Sequence, residues 1–269
     1  MTIRDFVGRS FAAIVLFAAL GLPTPSHSQP TASDEFLSYT GRAEALQGHG
    51  FLYGEKHILV LRGGKLAERV VLYTCRDGSA FARKKSFYGN RWSPDFVLDD
   101  ASNGMREGVR SEGGGRQVFF RAARSDHERS KSLEETAGLV IDTGFDAFVR
   151  DNWQPLMAKD GLSMRFLIPS HLSDMEFRVQ HVRADHVDGV PVEVFRLTLS
   201  NIFGWFVPGI DVYYTAQDHV LVRYVGISDL MDASGSNIRA DITFALAARR
   251  ATDEHDLATA LQTRLMPCH

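Results

Sequence analysis

The chain has 269 residues, with 30 Lys and Arg against 33 Asp and Glu, a formal net charge of −3. That balance excludes the broad basic field a nucleic-acid-binding protein presents. Its 44 % hydrophobic content suits a globular protein with a real core, and its two cysteines include no Cys-x-x-Cys pair of the kind thiol-redox enzymes use.

Arg4 and Arg9 give a short basic start. Phe11 to Leu22 is an unbroken apolar run, closed by Pro23 and Pro25, and Ser26-His27-Ser28 puts small residues before Gln29. This is the layout of a cleavable secretory signal peptide. The apolar run is about a dozen residues, short of the roughly 20 that a spanning helix needs. No cysteine follows the run and no second apolar stretch reaches spanning length. The expected organisation is a signal peptide over 1–28, a disordered lead-in over 29–35 and a single β-rich domain over 36–269. The mature chain is expected in the periplasm, with no free ATP or NAD, no integral membrane span and no cofactor.

From Phe36 onward the chain reads as strands separated by turns. Phe51–Leu61, Leu66–Cys75 and Phe81–Tyr88 are apolar runs closed by Gly63-Gly64, Asp77-Gly78 and Gly89-Asn90. Such dipeptides supply the positive φ that tight hairpins require. Met105–Arg110 and Gln117–Ala122 flank Gly113-Gly114-Gly115 as another hairpin. Ser125 to Glu135 is the most polar interior stretch and reads as the loop between halves.

Phe145, Phe148, Val149, Trp153, Leu156 and Met157 follow at helical spacing, an apolar stripe on one face. Asp142 or Thr143 is positioned to cap this helix, and Pro155 to end or kink it. Beyond it, Phe177, Val179 and His181 alternate with polar residues. Asp188-Gly189 turns the chain into Val190–Leu199, Gln217-Asp218 separates Ile210–Ala216 from Val220–Ile227, and Ile238 to Leu246 alternates again. One wet and one buried face is the pattern of an antiparallel sheet. Near the end, Leu257, Leu261 and Leu265 form a second helical stripe, with Thr252 as a cap candidate.

The fold class is therefore mainly antiparallel β, a large twisted and curved sheet or half-open barrel, with one inserted helix and a C-terminal helix. In an oxidising compartment Cys75 and Cys268 suggest one disulfide, against two unrelated thiols, one of them on the tail.

Signal peptide, long meandering sheet, mid-chain helix and the lack of a catalytic motif resemble the periplasmic lipoprotein-localisation class, the LolA/LolB-like fold. The stretches Leu52-Tyr53-Gly54-Glu55-Lys56-His57 and Ser93-Pro94-Asp95-Phe96-Val97-Leu98-Asp99-Asp100 are also similar to a group of uncharacterised proteobacterial secreted proteins. The resemblance is architectural and assigns no residue. It implies a curved sheet covered on its concave side by helices, with acyl chains between them.

Motifs for covalent or metal chemistry are sparse. The chain has neither Gly-x-Ser-x-Gly nor Ser-x-x-Lys. Ser228-Asp229 and Ser234-Gly235-Ser236 read as turn formers. His181 and His186, with Asp185 and Asp188, are a conceivable zinc set at a spacing that is not diagnostic, and His181 reads more simply as a core imidazole. Asp99 and Asp100 would point to opposite faces of a strand, so they form no acid–base pair; a turn or solvated loop is the expected setting. Arg83, Lys84 and Lys85 read as a solvated strand face, or more weakly as a contact for an anionic headgroup. Ile202 to Gly209 is an aromatic loop containing Phe203, Trp205 and Phe206. It reads either as a plug at the end of the sheet core or as a mouth for an apolar ligand.

The leading expectation is a non-covalent binding or carrier protein for a hydrophobic, lipid-like ligand. Phe145, Phe148 and Trp153 would shield the ligand, and Phe203, Trp205 and Phe206 would gate it. The alternatives are an envelope interaction or assembly factor with a protein partner, and a periplasmic hydrolase with an unrecognised site.

Overall fold

The computed structural model describes residues 34–134, 136–158, 160–200, 209–232 and 234–268. Eight strands come first: β1 (Glu35–Ala45), β2 (Phe51–Arg62), β3 (Lys65–Thr74), β4 (Ala80–Phe87), β5 (Asp95–Asp100), β6 (Arg106–Glu112), β7 (Gly115–Arg121) and β8 (Arg129–Ser132). The short β9 (Leu139–Val140) leads into α1 (Gly144–Asp151) and α2 (Trp153–Met157). Then follow β10 (Leu162–Ile168), a 3₁₀ turn at Pro169–His171, β11 (Ser173–Val187), β12 (Val190–Leu199), β13 (Ile210–Thr215), β14 (Leu221–Met231) and β15 (Asn237–Thr243). A second 3₁₀ turn, β16 (Arg250–Ala251) and α3 (Glu254–Gln262) close the described chain.

All strands lie in one sheet. Its order is β8-β7-β6-β5-β4-β3-β2-β1-β15-β14-β13-β12-β11-β10-β9, with β16 added on β1. Two meanders thus meet at the antiparallel β1/β15 pair. Tight turns at Gly63 and Gly64 (φ 57° and 73°) and at Asp188 and Gly189 (φ 49° and 78°) build two of the hairpins, as their sequences require. β9 pairs parallel with β10 while β8 pairs antiparallel with β7. The two edges of the sheet are therefore consecutive strands in the chain.

The sheet is curved and open. Leu139, Ile141 and Leu167 share a core with Phe96, Leu98, Val109, Val118 and Phe120 of the opposite half. Arg129 of β8 donates to the Ser170 carbonyl of the 3₁₀ turn (3.0 Å). The edges approach closely enough to share a core without completing a ladder between them. Helix α1 sits on the enclosed side, where Asp146 faces both Arg69 of β3 (3.8 Å) and Tyr214 of β13. Helix α3 covers the opposite face of β2–β4, where Ala260 and the leucines of its stripe pack on Ile58, Val70 and Leu72. Arg83 reaches from β4 to the carbonyls of Ala260 and Thr263, a favourable place for a cation beside a helix C-terminus.

Several local expectations are corrected. The polar stretch after Ser125 contains an edge strand, β8, every residue of which is exposed. An exposed edge can be wholly polar, so hydrophobic alternation gives no sign of it. The break in the inserted helix falls at Asn152, upstream of Pro155, because proline opposes the bond to the residue four positions earlier. Thr143 is the cap residue of α1 but makes no side-chain cap bond. Asp253, in place of Thr252, caps α3 and accepts from the Asp256 amide. Ser228-Asp229 lies in β14, at a register shift, and forms no turn. Asp99 and Asp100 end a strand: Asp99 pairs with Arg106 at 2.9 Å, while Asp100 is buried and accepts from the Ser102 amide. The structure joins Cys75 to Cys268 in a disulfide with the Cα atoms 5.5 Å apart.

Candidate functional site: a charged recess inside the sheet

Pairing register places Tyr39, His57, Val71, Lys84, Leu98, Glu107 and Phe120 opposite one another across β1 to β7. Residues in such a row share one face of a sheet. Here that face is the enclosed one, so His57, Lys84 and Glu107 point inward from alternate strands, and Tyr39 joins them from β1. A neighbouring row adds Glu55 and Tyr73, another adds Arg69 and Ser86.

Lys84 is the centre of the cluster, with a side chain only 6 % exposed. Its Nζ donates to Asp142 Oδ1 at 2.6 Å and to Asp229 Oδ2 at 2.5 Å. Asp142 comes from the segment just before α1, where its backbone adopts a positive φ of 46°, an uncommon conformation that Asp tolerates better than most residues. Tyr88 donates to Thr143 Oγ1 (2.7 Å), which in turn lies 3.5 Å from the Ser86 hydroxyl. The capping residues expected from sequence are thus turned to β4, which fixes the start of α1 over Lys84. On the next strands Glu55 and His57 are joined at 2.6 Å, and the imidazole stacks on Tyr39 with ring centroids 4.3 Å apart.

The charges do not balance locally. Burial works against ionisation of Asp142, but the adjacent Lys84 ammonium outweighs it and holds that carboxyl below its ordinary pKa. Burial raises Asp229, and Lys84 only partly offsets it because Asp142 is close. Glu107 is pushed well above the usual carboxylate range by burial, with Asp229 adding to the effect. It is 8 % exposed and has no hydrogen-bond or ion-pair partner among the described residues. Burial lowers the His57 pKa despite Glu55, favouring the neutral ring. Lys84 itself is raised: burial opposes its charge, and Asp142 and Asp229 more than restore it.

Asp229 also keeps 41 % of its side-chain surface accessible. A carboxylate that is both desolvated by surrounding protein and reachable by water sits in a sheltered position, here termed the recess. Tyr53, Tyr73 and Tyr224 are near enough for the Asp229 charge to add to the larger effect of burial, which raises the pKa of each. Shifted carboxylates and an ammonium held together in a recess are what functional sites gather.

Of the aromatic residues singled out in the sequence, Phe145, Phe148 and Trp153 pack in a core cluster with the C-terminal meander. Phe148 meets Trp92 edge-on (5.3 Å), Phe145 meets Phe166 (6.5 Å), and Trp153 stacks on His219 (3.6 Å) and meets Phe195 edge-on (4.9 Å). Phe148, Trp153 and Leu156 pack with Met164, Val179, Phe195 and Val212 of the C-terminal meander. Phe203, Trp205 and Phe206 lie outside the described residues. His181 pairs with Glu193 at 2.6 Å instead of with His186. Among the described residues no group of three or more His, Cys, Asp or Glu is placed to hold a metal ion.

Lys84 is the residue that sequence reasoning misread. The reading as a solvated face holds for neither Arg83, which reaches α3, nor Lys84, which is buried. The signal was present in period-two form: Ala82 and Ser86, two positions either side of Lys84, are small and leave room for a long inward side chain. Asp142 and Asp229 carried no comparable signal, being distant in sequence from each other and from Lys84.

Two cavities flank the crossover between the sheet edges. One of about 440 Å³ is lined by the β6–β7 turn, Arg116 and Leu133, and one of about 270 Å³ by Asn90, Trp92, Ser93 and residues Thr136 to Leu139.

No protein-family model and no curated protein matches the chain. Solved structures do resemble it. A beta-barrel-like protein of the domain of unknown function DUF1849 from Brucella abortus aligns at 11 % identity over 82 % of this chain and 98 % of its own, with a TM-score of 0.45. A DUF1329 family protein from Desulfovibrio piger aligns at 8 % identity over 84 % and 88 %, with a TM-score of 0.28. A LolA superfamily protein from Nitrosomonas europaea aligns at 8 % identity over 85 % and 90 %, with a TM-score of 0.23. The architectural resemblance read from the sequence thus recurs among these neighbours. At such scores it carries no argument about ligand or activity.

Proposed function

We propose that this chain is a periplasmic binding or carrier protein that holds a hydrophobic, lipid-like ligand without covalent chemistry. The observation that carries the reading is the open sheet: its two edges approach without pairing, and cavities of about 440 and 270 Å³ flank the segment that joins them. The larger volume is in the range of small-molecule sites, roughly 300–1,000 Å³, and the smaller lies just below it. Trp92, Leu133 and Leu139 give the seam apolar surface, and each buried CH₂ of a ligand contributes about 0.8 kcal/mol. The Cys75–Cys268 disulfide is consistent with an oxidising compartment, as is the signal-peptide layout of the first 28 residues.

Native mass spectrometry of the secreted chain, followed by organic extraction, tests this reading. A co-purifying lipid supports it. A clean protein mass, with no uptake of added fatty acids or phospholipids, refutes it. Ala137 is exposed and lines the smaller cavity, so Ala137→Trp is expected to reduce uptake at least threefold while leaving the far-UV CD spectrum unchanged.

A second reading, an envelope interaction factor, draws on β8. It is an exposed edge strand with one side unpaired, the geometry for adding a partner strand. Protein cross-linking to β8 with no lipid uptake would favour it.

A further inference from the structure

We propose that the recess at Asp229 and Glu107 is a subsite for a positively charged amine, the polar end of the ligand; this rests on the carrier reading above. The argument is one of missing charge. Lys84 is the single ammonium among Asp142, Asp229 and Glu107, and its direct contacts go to the first two. Arg69, the next inward cation, is taken by Asp146 at 3.8 Å. Glu55 is held by His57, whose neutral form burial favours. Glu107 is left more than nine-tenths buried with no partner among the described residues.

An acceptor in that state has two remedies. It keeps its proton, or it receives a cation. Burial pushes the Glu107 and Asp229 carboxyls above the ordinary range, which is the direction of the first remedy. A ligand ammonium supplies the second. Asp229 is the accessible partner, since its side chain is 41 % exposed, and Glu107 lies deeper.

The remaining wall suits an ammonium and disfavours an anion. Tyr53, Tyr73 and Tyr224 lie close enough to Asp229 for its charge to raise each phenol, after the larger effect of burial, and a phenol oxygen can accept from an ammonium. Lys84, the cation in contact with Asp229, already holds two carboxylates, so a carboxylate or phosphate head at this place would have to displace one. A metal ion is a poor alternative because no three-ligand group is assembled among the described residues. An amine needs only one or two acceptors and no fixed coordination geometry.

The test uses the full secreted chain, freed of bound lipid, with three probes of equal tail length: dodecylamine, dodecanol and dodecanoate. Binding is measured calorimetrically below the aggregation concentration of each probe. Dodecylamine is expected to bind at least tenfold more tightly than dodecanol, and dodecanoate more weakly than either. Asp229→Asn is expected to remove most of the amine preference and leave dodecanol affinity within twofold. Glu107→Gln, nearly isosteric, is expected to reduce the preference as well. Equal binding of all three probes, or tightest binding of dodecanoate, overturns the amine subsite and leaves the carrier reading standing. Uptake of none of them overturns both. An amine preference that survives in Asp229→Asn and in Glu107→Gln, with each variant showing a cooperative thermal transition, overturns the assignment to this recess.

Discussion

Lys84→Met removes the ammonium at the centre of the enclosed face and leaves a methylene stem of similar reach. Asp142, 7 % exposed, then loses its cation while still bonded to a rigid segment, and one of its oxygens already lacks a partner. Removing one member of a buried ion pair costs about 3–5 kcal/mol, most of it the stranding of the other charge. Asp229 adds little to this figure, because its remaining exposure lets water take over. The expected loss is therefore about 3 kcal/mol. With a urea slope of up to about 3 kcal/mol/M for a chain of this size, the midpoint should fall by at least about 1 M. Lys84→Met/Asp142→Asn should recover most of the loss, since it strands no charge at position 142 and Asn accepts a positive φ. Urea titrations followed by far-UV CD at pH 7 measure wild type, Lys84→Met, Asp142→Asn and the double variant. A Lys84→Met cost below about 1 kcal/mol, or a double variant as unstable as the sum of the singles, would show that the cluster is solvated and refute the reasoning.

Three further outcomes follow from the same contacts. Glu107 holds its proton to higher pH folded than unfolded, so unfolding releases a proton between the ordinary carboxylate pKa and the raised one. Stability should fall as pH rises through that window, and Glu107→Gln should abolish this part of the slope and be the more stable protein at pH 8; identical pH–stability curves would sink the idea. Cutting the disulfide, which spans a sequence separation of 193, should cost roughly 5 kcal/mol in the chain-entropy model, seen as a large drop in Tm for Cys75→Ser/Cys268→Ser against wild type. A Cβ at Gly144 would lie 2.0 Å from the Trp92 carbonyl oxygen; Gly144→Ala should cost about 1–3 kcal/mol as an overpacking change, and an unchanged Tm would mean that α1 can shift freely.

The sequence by itself determined the strands and most of their turns. Alternation in Phe177–His181 and Ile238–Phe244, and the dipeptides Gly63-Gly64 and Asp188-Gly189, are local signals, and local backbone preference is enough to place them. The two helices were legible for the same reason, since stripes of Phe148, Trp153 and Leu156, and of Leu257 and Leu261, repeat within a few residues. Only the tertiary structure decided which strand faces turn inward. Lys84 looks like its neighbours Arg83 and Lys85, yet strand pleat alternates their sides, and the curvature of a sheet closing on α1 decides which side is enclosed. The same curvature brings Asp142 and Asp229, 87 positions apart, onto one ammonium, and leaves Glu107 facing them without a partner. Such contacts depend on how two meanders join at β1 and β15, a long-range pairing that no short window of residues records.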